Sequence, residues 1–159
     1  MRVLAVDHGA ARAGCAISDA TGTIARPLGV VEPAEPRAVA KLALEHEVEL
    51  VVVGLPVSLS GAEGLQAAQA RTFQEALAAI LDVPVETYDE RLTTRMAERS
   101  NRAGASAPSD ALAAAHLLES YLESRARASD EVADRGGGPA APFEPEPGGP
   151  GREAEEPPE

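Results

Sequence analysis

Val3-Leu4-Ala5-Val6-Asp7-His8-Gly9 places four apolar residues in a row and then a carboxylate. An apolar run without alternation reads as a strand covered on both faces. Asp7 ends that run, and the loop Gly9-Ala10-Ala11-Arg12-Ala13-Gly14 follows it. A carboxylate at the end of such a strand sits at the rim of a sheet, where α/β proteins place their ligands. Two further acids, Glu90 and Asp110, fall where the same rim would collect them. Three gathered carboxylates repel one another unless a cation or a proton intervenes. A divalent metal is the simplest such cation, and phosphodiester hydrolysis is a natural use of it.

The rest of the chain supplies a frame for that rim. A second strand over about Cys15–Ser18 and a third over about Ile24–Val31 are joined by the short turn Asp19 to Gly22, so the first three strands pair antiparallel. Pro33 and Pro36 end this hairpin segment, and Arg37 to His46 reads as a helix with Val39, Leu42 and Ala43 on one side. Leu50-Val51-Val52-Val53 is another doubly covered strand, ended by Gly54-Leu55-Pro56. Ser60-x-x-Glu63 has the form of a capping box, opening a helix in which Phe73, Ala76, Leu77 and Ile80 recur at helical spacing. Pro84 to Tyr88 forms a fifth strand, followed by Asp89-Glu90-Arg91; a short helix spans roughly Thr93–Arg102, and a last one Ser109–Arg127. Strands four and five arrive through helical crossovers and so run parallel to the first. The expected fold is α/β: a five-stranded mixed sheet, three antiparallel hairpin strands plus two parallel ones, with flanking helices.

From Ser129 to Glu159 the chain holds seven prolines, six glycines, nine acids and two arginines. Burial there cannot offset the entropy of ordering, so residues 129–159 read as a disordered acidic tail and residues 1–128 as one domain. The total charge is −12; nine acids against two arginines give the tail −7, which leaves −5 for residues 1–128. A nucleic-acid partner is neither excluded nor supported by that figure, since a basic footprint is its usual sign. Cys15 is the single cysteine, so no intrachain disulfide forms, which fits a reducing compartment. Leu50 to Val57 is too short to span a bilayer and no signal peptide is apparent. The expectation is a cytoplasmic protein without a membrane partner.

Within the last helix, Asp110, Ala113, Ala114, Leu117 and Tyr121 share one face, so Asp110 lies on the side that packs on the sheet. The competing role for Ser109 or Asp110 is a helix N-cap. For Asp89 and Glu90 it is a solvated turn beside Arg91. The set favoured here makes Asp7, Glu90 and Asp110 metal ligands, with Asp89 secondary. Oxygen-only ligands point to Mg²⁺ or Mn²⁺, and no cysteine or histidine pair stands at zinc spacing. Arg91, Arg95, Arg99 and Arg102 recur on one helix face and could grip phosphates, or form a solvated stripe. Arg12, beside Asp7, could reach a phosphate or salt-bridge to the acids. His8 could relay a proton; His116 falls beside Leu112, half buried.

Four motifs in one order carry a family likeness: Asp7-x-Gly9-x-x-Arg12-x-Gly14-x-Ala16, Val53-Gly54-Leu55-Pro56, Asp89-Glu90-Arg91-Leu92-Thr93-Thr94, and Asp110-x-x-Ala113-Ala114. Together they closely resemble the YqgF family over about residues 2–124. Members are described as pre-16S ribosomal RNA nucleases and as relatives of Holliday-junction resolvases. The resemblance implies a ribonuclease-H-like fold with the first strand central, and divalent-metal endonuclease chemistry with Asp7, Glu90 and Asp110 as the matching acids. A lysine-rich run before the last acid is often present in such relatives; here Ala105-Ser106-Ala107-Pro108-Ser109 stands instead. The leading expectation is a metal-dependent endonuclease on structured RNA, processing precursor 16S ribosomal RNA during ribosome maturation. A branched-DNA resolvase is its closest variant. The other readings are an actin-like ATPase, for which the chain is too short, and a non-catalytic module that binds RNA or ribosomal components through Arg91–Arg102.

Overall fold

The computed structural model describes residues 1–56, 64–89 and 109–135. In chain order the described elements are β1 (Val3–His8), β2 (Ala13–Ser18), β3 (Ala25–Val31), α1 (Pro36–Glu45), β4 (Leu50–Leu55), α2 (Leu65–Ile80), β5 (Val85–Asp89) and α3 (Ser109–Arg135). The five strands form one sheet in the order β3-β2-β1-β4-β5, with β1 at its centre. β1–β2 and β2–β3 are antiparallel; β1–β4 and β4–β5 are parallel. This is the mixed sheet that the apolar runs and crossover lengths predict.

Each face of the sheet carries its own core, as strand alternation requires. On one face Leu4, Val6, Cys15, Ile17, Val51, Val53 and Leu55 pack under α1 and α2, with Val39, Ala43, Phe73 and Leu77 covering them. On the other face Val3, Ala5, Ala16, Leu50 and Val52 pack under α3 through Ala114, Leu117, Leu118 and Leu122. Leu4, Leu77, Leu117 and Leu118 are fully buried, each contributing about 1.5–3 kcal/mol. β4 is buried at every position because it lies between β1 and β5 and beneath helices on both sides. β3 is an edge strand and carries Pro27, which cannot donate a ladder hydrogen bond. The pairing with β2 shifts register between Cys15 and Ala16, so that Pro27 and Gly29 face consecutive β2 residues.

Two polar side chains at the end of β2 are satisfied locally. The buried Ser18 hydroxyl accepts the Val3 N–H at 2.8 Å and donates to the Asp19 carbonyl at 2.9 Å. In the turn after β2, the Asp19 carboxylate accepts the Thr23 and Ile24 N–H groups at 2.8 and 3.0 Å, and the Thr21 hydroxyl. These bonds hold the Asp19 carboxyl well below the usual range, led by the Thr21 contact.

Several boundaries depart from the sequence reading. α3 continues to Arg135 rather than stopping near Arg127, so residues 129–135, expected in the tail, are helical. The remainder of that tail lies outside the described residues, as do the Ser60–Glu63 capping box and the short helix over Thr93–Arg102. α2 instead starts after Gly64, which makes no side-chain cap bond. Asp89 belongs to strand β5 and not to the turn after it.

Candidate active site

β1, β4 and β5 run parallel, so their C-terminal ends form one edge. Val6 pairs with Val53, and Val53 with Thr87. One residue further on, Asp7 stands level with Gly54 and Tyr88. Alternation assigns faces. Asp7 follows Val3 and Ala5 on the α3 face, whereas His8 follows Leu4 and Val6 on the α1–α2 face.

Gly14 brings the second acid to this edge. It is the cross-strand partner of Asp7 in the β1–β2 ladder, which sets their Cα atoms about 5 Å apart. A Cβ on Gly14 would overlap the Asp110 carbonyl group and crowd the Ala111 nitrogen. The first turn of α3 therefore rests directly on the Gly14 backbone, next to Asp7. Only glycine permits that approach, and buried Ala111 and Ala114 let the helix keep it. Asp110 lies in the first helical turn, where the positive end of the helix dipole favours a carboxylate.

The Asp110 carboxylate is engaged by the neighbouring loop. Arg12 Nε lies 2.6 Å from Asp110 Oδ2, with the two side chains 56% and 36% exposed. This ion pair sits at an open rim, not in a sealed interior. The loop backbone is fixed from both sides: the Gly9 N–H donates to the Arg12 carbonyl at 2.9 Å, and the Ala34 N–H donates to the Ala11 carbonyl at 3.2 Å. Gly9 has the same role as Gly14 on a smaller scale, since a Cβ there would come within 2.7 Å of the Arg12 carbonyl oxygen.

His8 is turned away from the acids. Its ring stacks on Phe73 with centroids 4.6 Å apart. Burial pushes its pKa down, partly opposed by the Asp7 charge. A proton relay from His8 into the α3-side rim is therefore not what this geometry builds. His116 is more buried than half, at 9% exposure, with Nδ1 3.5 Å from a Glu119 carboxylate oxygen. Cys15 is buried, as expected for a small apolar residue.

Parity separates the two neighbouring acids of β5 and its continuation. Asp89 pairs with Leu55, which belongs to the α1–α2 face. Tyr88 packs on the α3 face. Asp89 thus falls on the opposite side of the sheet from Asp7. Glu90 and Arg91, Arg95, Arg99 and Arg102 lie outside the described residues. Among the described residues no group of three metal-ligating side chains converges; Asp7 and Asp110 are the two candidate ligands that the described structure brings to one face of one edge.

Sequence reasoning missed what anchors β5. The Tyr88 hydroxyl shares a 3.0 Å hydrogen bond with Ser120 Oγ and donates to its carbonyl. Tyr121 meets Tyr88 edge-on at 5.5 Å and donates to Glu86 Oε2 at 2.9 Å. Burial and the Glu86 contact raise the Tyr121 pKa. Two tyrosines thus tie the outer parallel strand to α3. The period-2 spacing of Glu86 and Tyr88 was the available signal.

Residues 1–124 match the family described as RuvX, Holliday junction resolvase. The chain belongs to the RuvX family, the YqgF family of the sequence reading. Relatives described as candidate pre-16S rRNA nucleases include one from Chloroflexus aggregans, 43% identical over 134 residues that span 77% of this chain and 94% of that protein. One from Thermobifida fusca is 52% identical over 106 residues, spanning 65% and 67%. One from Pelotomaculum thermopropionicum is 35% identical over 156 residues, spanning 91% of this chain and the whole of that protein. Among solved structures, Thermus thermophilus RuvC in complex with a Holliday junction substrate superposes with a TM-score of 0.60 at 17% identity, covering 80% of this chain and 96% of that one. That likeness shows that this chain has the ribonuclease-H-like fold. No described helix is long and apolar enough to cross a membrane.

Proposed function

We propose that this RuvX-family chain is a divalent-metal-dependent endonuclease of the cytoplasm that processes the 5′ end of pre-16S ribosomal RNA. The observation that carries this reading is the seating of Asp110 on Gly14, the strand partner of Asp7. It puts two carboxylates on one face at the C-terminal edge of the sheet. The names of the relatives supply the substrate class.

The donor set suits a hard cation: carboxylate oxygens only, at a partly exposed edge. Asp7, Asp110 and Glu90 are the proposed ligands of Mg²⁺ or Mn²⁺. Glu90 is chosen over Asp89 because Asp89 pairs with Leu55 on the wrong face. When bound, such ions lower the pKa of a water and stabilise the leaving oxygen of a phosphodiester. The protein's own part is positional. Asp7 is held by the central strand, and Asp110 by the helix seat on Gly14. Arg12, Arg91, Arg95, Arg99 and Arg102 hold backbone phosphates on either side of the scissile bond. The Tyr88–Ser120 and Tyr121–Glu86 contacts keep the end of β5 in register with the other two strands.

A branched-DNA substrate is the second reading, favoured by the family's description as Holliday junction resolvase. Purified protein is incubated with a 16S rRNA precursor and with a four-way DNA junction, each with Mn²⁺, with Mg²⁺ and with a chelator. Asp7→Asn is expected to melt like the wild type and to lose metal-dependent cleavage to background. Wild-type rates from Asp7→Asn in a clean preparation would overturn the reading. Preference between the two substrates decides between the two versions.

A further inference from the structure

We propose that Arg12 couples nucleic-acid binding to cation binding, by holding Asp110 until one of the two ligands takes its half of the ion pair. This rests on the metal site proposed above and adds a device that the site residues alone do not imply. Three features of the rim support it. The Arg12 and Asp110 side chains are in direct contact at 2.6 Å while both stay open to solvent. The loop backbone is pinned by the Gly9–Arg12 and Ala34–Ala11 hydrogen bonds. The Asp110 backbone is packed against Gly14 in the first turn of α3, so that only its short side chain can shift. The longer reach belongs to the Arg12 side chain, a long stem ending in a planar fork of N–H donors.

The consequence is a shared ion pair with two competing partners. A cation coordinated by Asp110 must displace the guanidinium. A phosphate gripped by Arg12 must draw the guanidinium off the carboxylate. Whichever ligand arrives first releases the group that the other one needs. Each therefore raises the affinity for the other by the same factor. An exposed ion pair of this kind sets that factor at roughly two- to fivefold at low salt, and added salt shrinks it.

The first test contains no metal. Affinity of the full-length chain for a four-way DNA junction is measured in chelator for wild type, Asp110→Asn, Arg12→Gln and the double variant, each checked by thermal melting. Asp110→Asn is expected to bind roughly two- to fivefold tighter, because it frees Arg12. Arg12→Gln binds more weakly than wild type, and adding Asp110→Asn to it restores less than that gain. An equal gain in both backgrounds would reduce the effect to simple removal of a negative charge and overturn the proposal. So would unchanged binding by Arg12→Gln.

The second test contains no nucleic acid. Mn²⁺ is titrated calorimetrically into wild type, Arg12→Gln and Arg12→Lys. Arg12→Gln is expected to bind Mn²⁺ roughly two- to fivefold tighter, with Arg12→Lys between it and wild type. Measurable but equal Mn²⁺ affinity across the three would overturn the coupling and leave the metal site standing. Absence of Mn²⁺ binding in all three would overturn both.

Discussion

The two faces of the sheet are built alike at one end and differently at the other. Under α1 and α2 the apolar cover continues to the edge, where Leu55 is buried and His8 lies against Phe73. Under α3 the cover of Val3 and Ala5 stops one residue short of the edge. Asp7 takes the next place, and the helix above it begins with Asp110 on Gly14. Beside β1, one face closes with large side chains; the other closes with glycine and alanine and leaves Asp7 and Asp110 at the edge. A single strand can thus bury apolar side chains on one side and present a carboxylate at the rim on the other, because alternation keeps the two sets of side chains apart.

That contrast can be broken by substitution. Leu77 is fully buried on the α1–α2 face. Leu77→Ala should lose about 2–5 kcal/mol of stability, read by chemical denaturation, while cleavage per folded molecule stays at the wild-type level. Gly14→Ala forces the first turn of α3 off its seat. Its stability loss should be of similar size, about 1–3 kcal/mol or more, because the atoms in the way are backbone, and cleavage per folded molecule should fall steeply as Asp110 moves from Asp7. If both variants kept or lost activity in parallel with stability, the division of labour between the faces would be wrong.

The first strand, the fourth strand and both crossovers were legible because unbroken apolar runs and helical spacing are strong local signals. The approach of Asp110 to the rim was legible only in outline, from the face that Asp110 shares with Ala113, Ala114, Leu117 and Tyr121 in the sequence, of which Ala113 is exposed in the structure. Gly14, which seats the helix, is marked in the sequence only as a member of the Asp7–Ala16 motif, without a structural reason. Its significance is a contact between residues 96 positions apart, and no local pattern encodes it. The sequence ranks Asp89 behind Glu90 without a local physical ground, and the Leu55 register fixes the face of Asp89. The extension of α3 to Arg135 was hidden because Ser129–Arg135 holds only Val132 and Ala133 as apolar residues and shows no apolar stripe.

The smallest expected effect sharpens the same comparison at Cys15. It lies on the closed face, and burial pushes its thiol pKa up to about 12 from 9.0. A folded thiol that stays protonated where the unfolded one ionises gives stability that is level below pH 9 and declines as pH rises from 9 towards 12. A thiol reagent at neutral pH should therefore modify Cys15 only at the rate of unfolding. Rapid modification of the native protein would show that the α1–α2 face is not closed.

On the proposed function, Asp7 and Asp110 together hold a hard cation at the α3-side edge. Anomalous scattering from crystals grown with Mn²⁺ tests it most directly. A manganese peak is expected about 2.1 Å from carboxylate oxygens of both Asp7 and Asp110, with Arg12 moved off Asp110. A peak elsewhere, or saturating Mn²⁺ with Arg12 still paired to Asp110 and no density between the two acids, would contradict it.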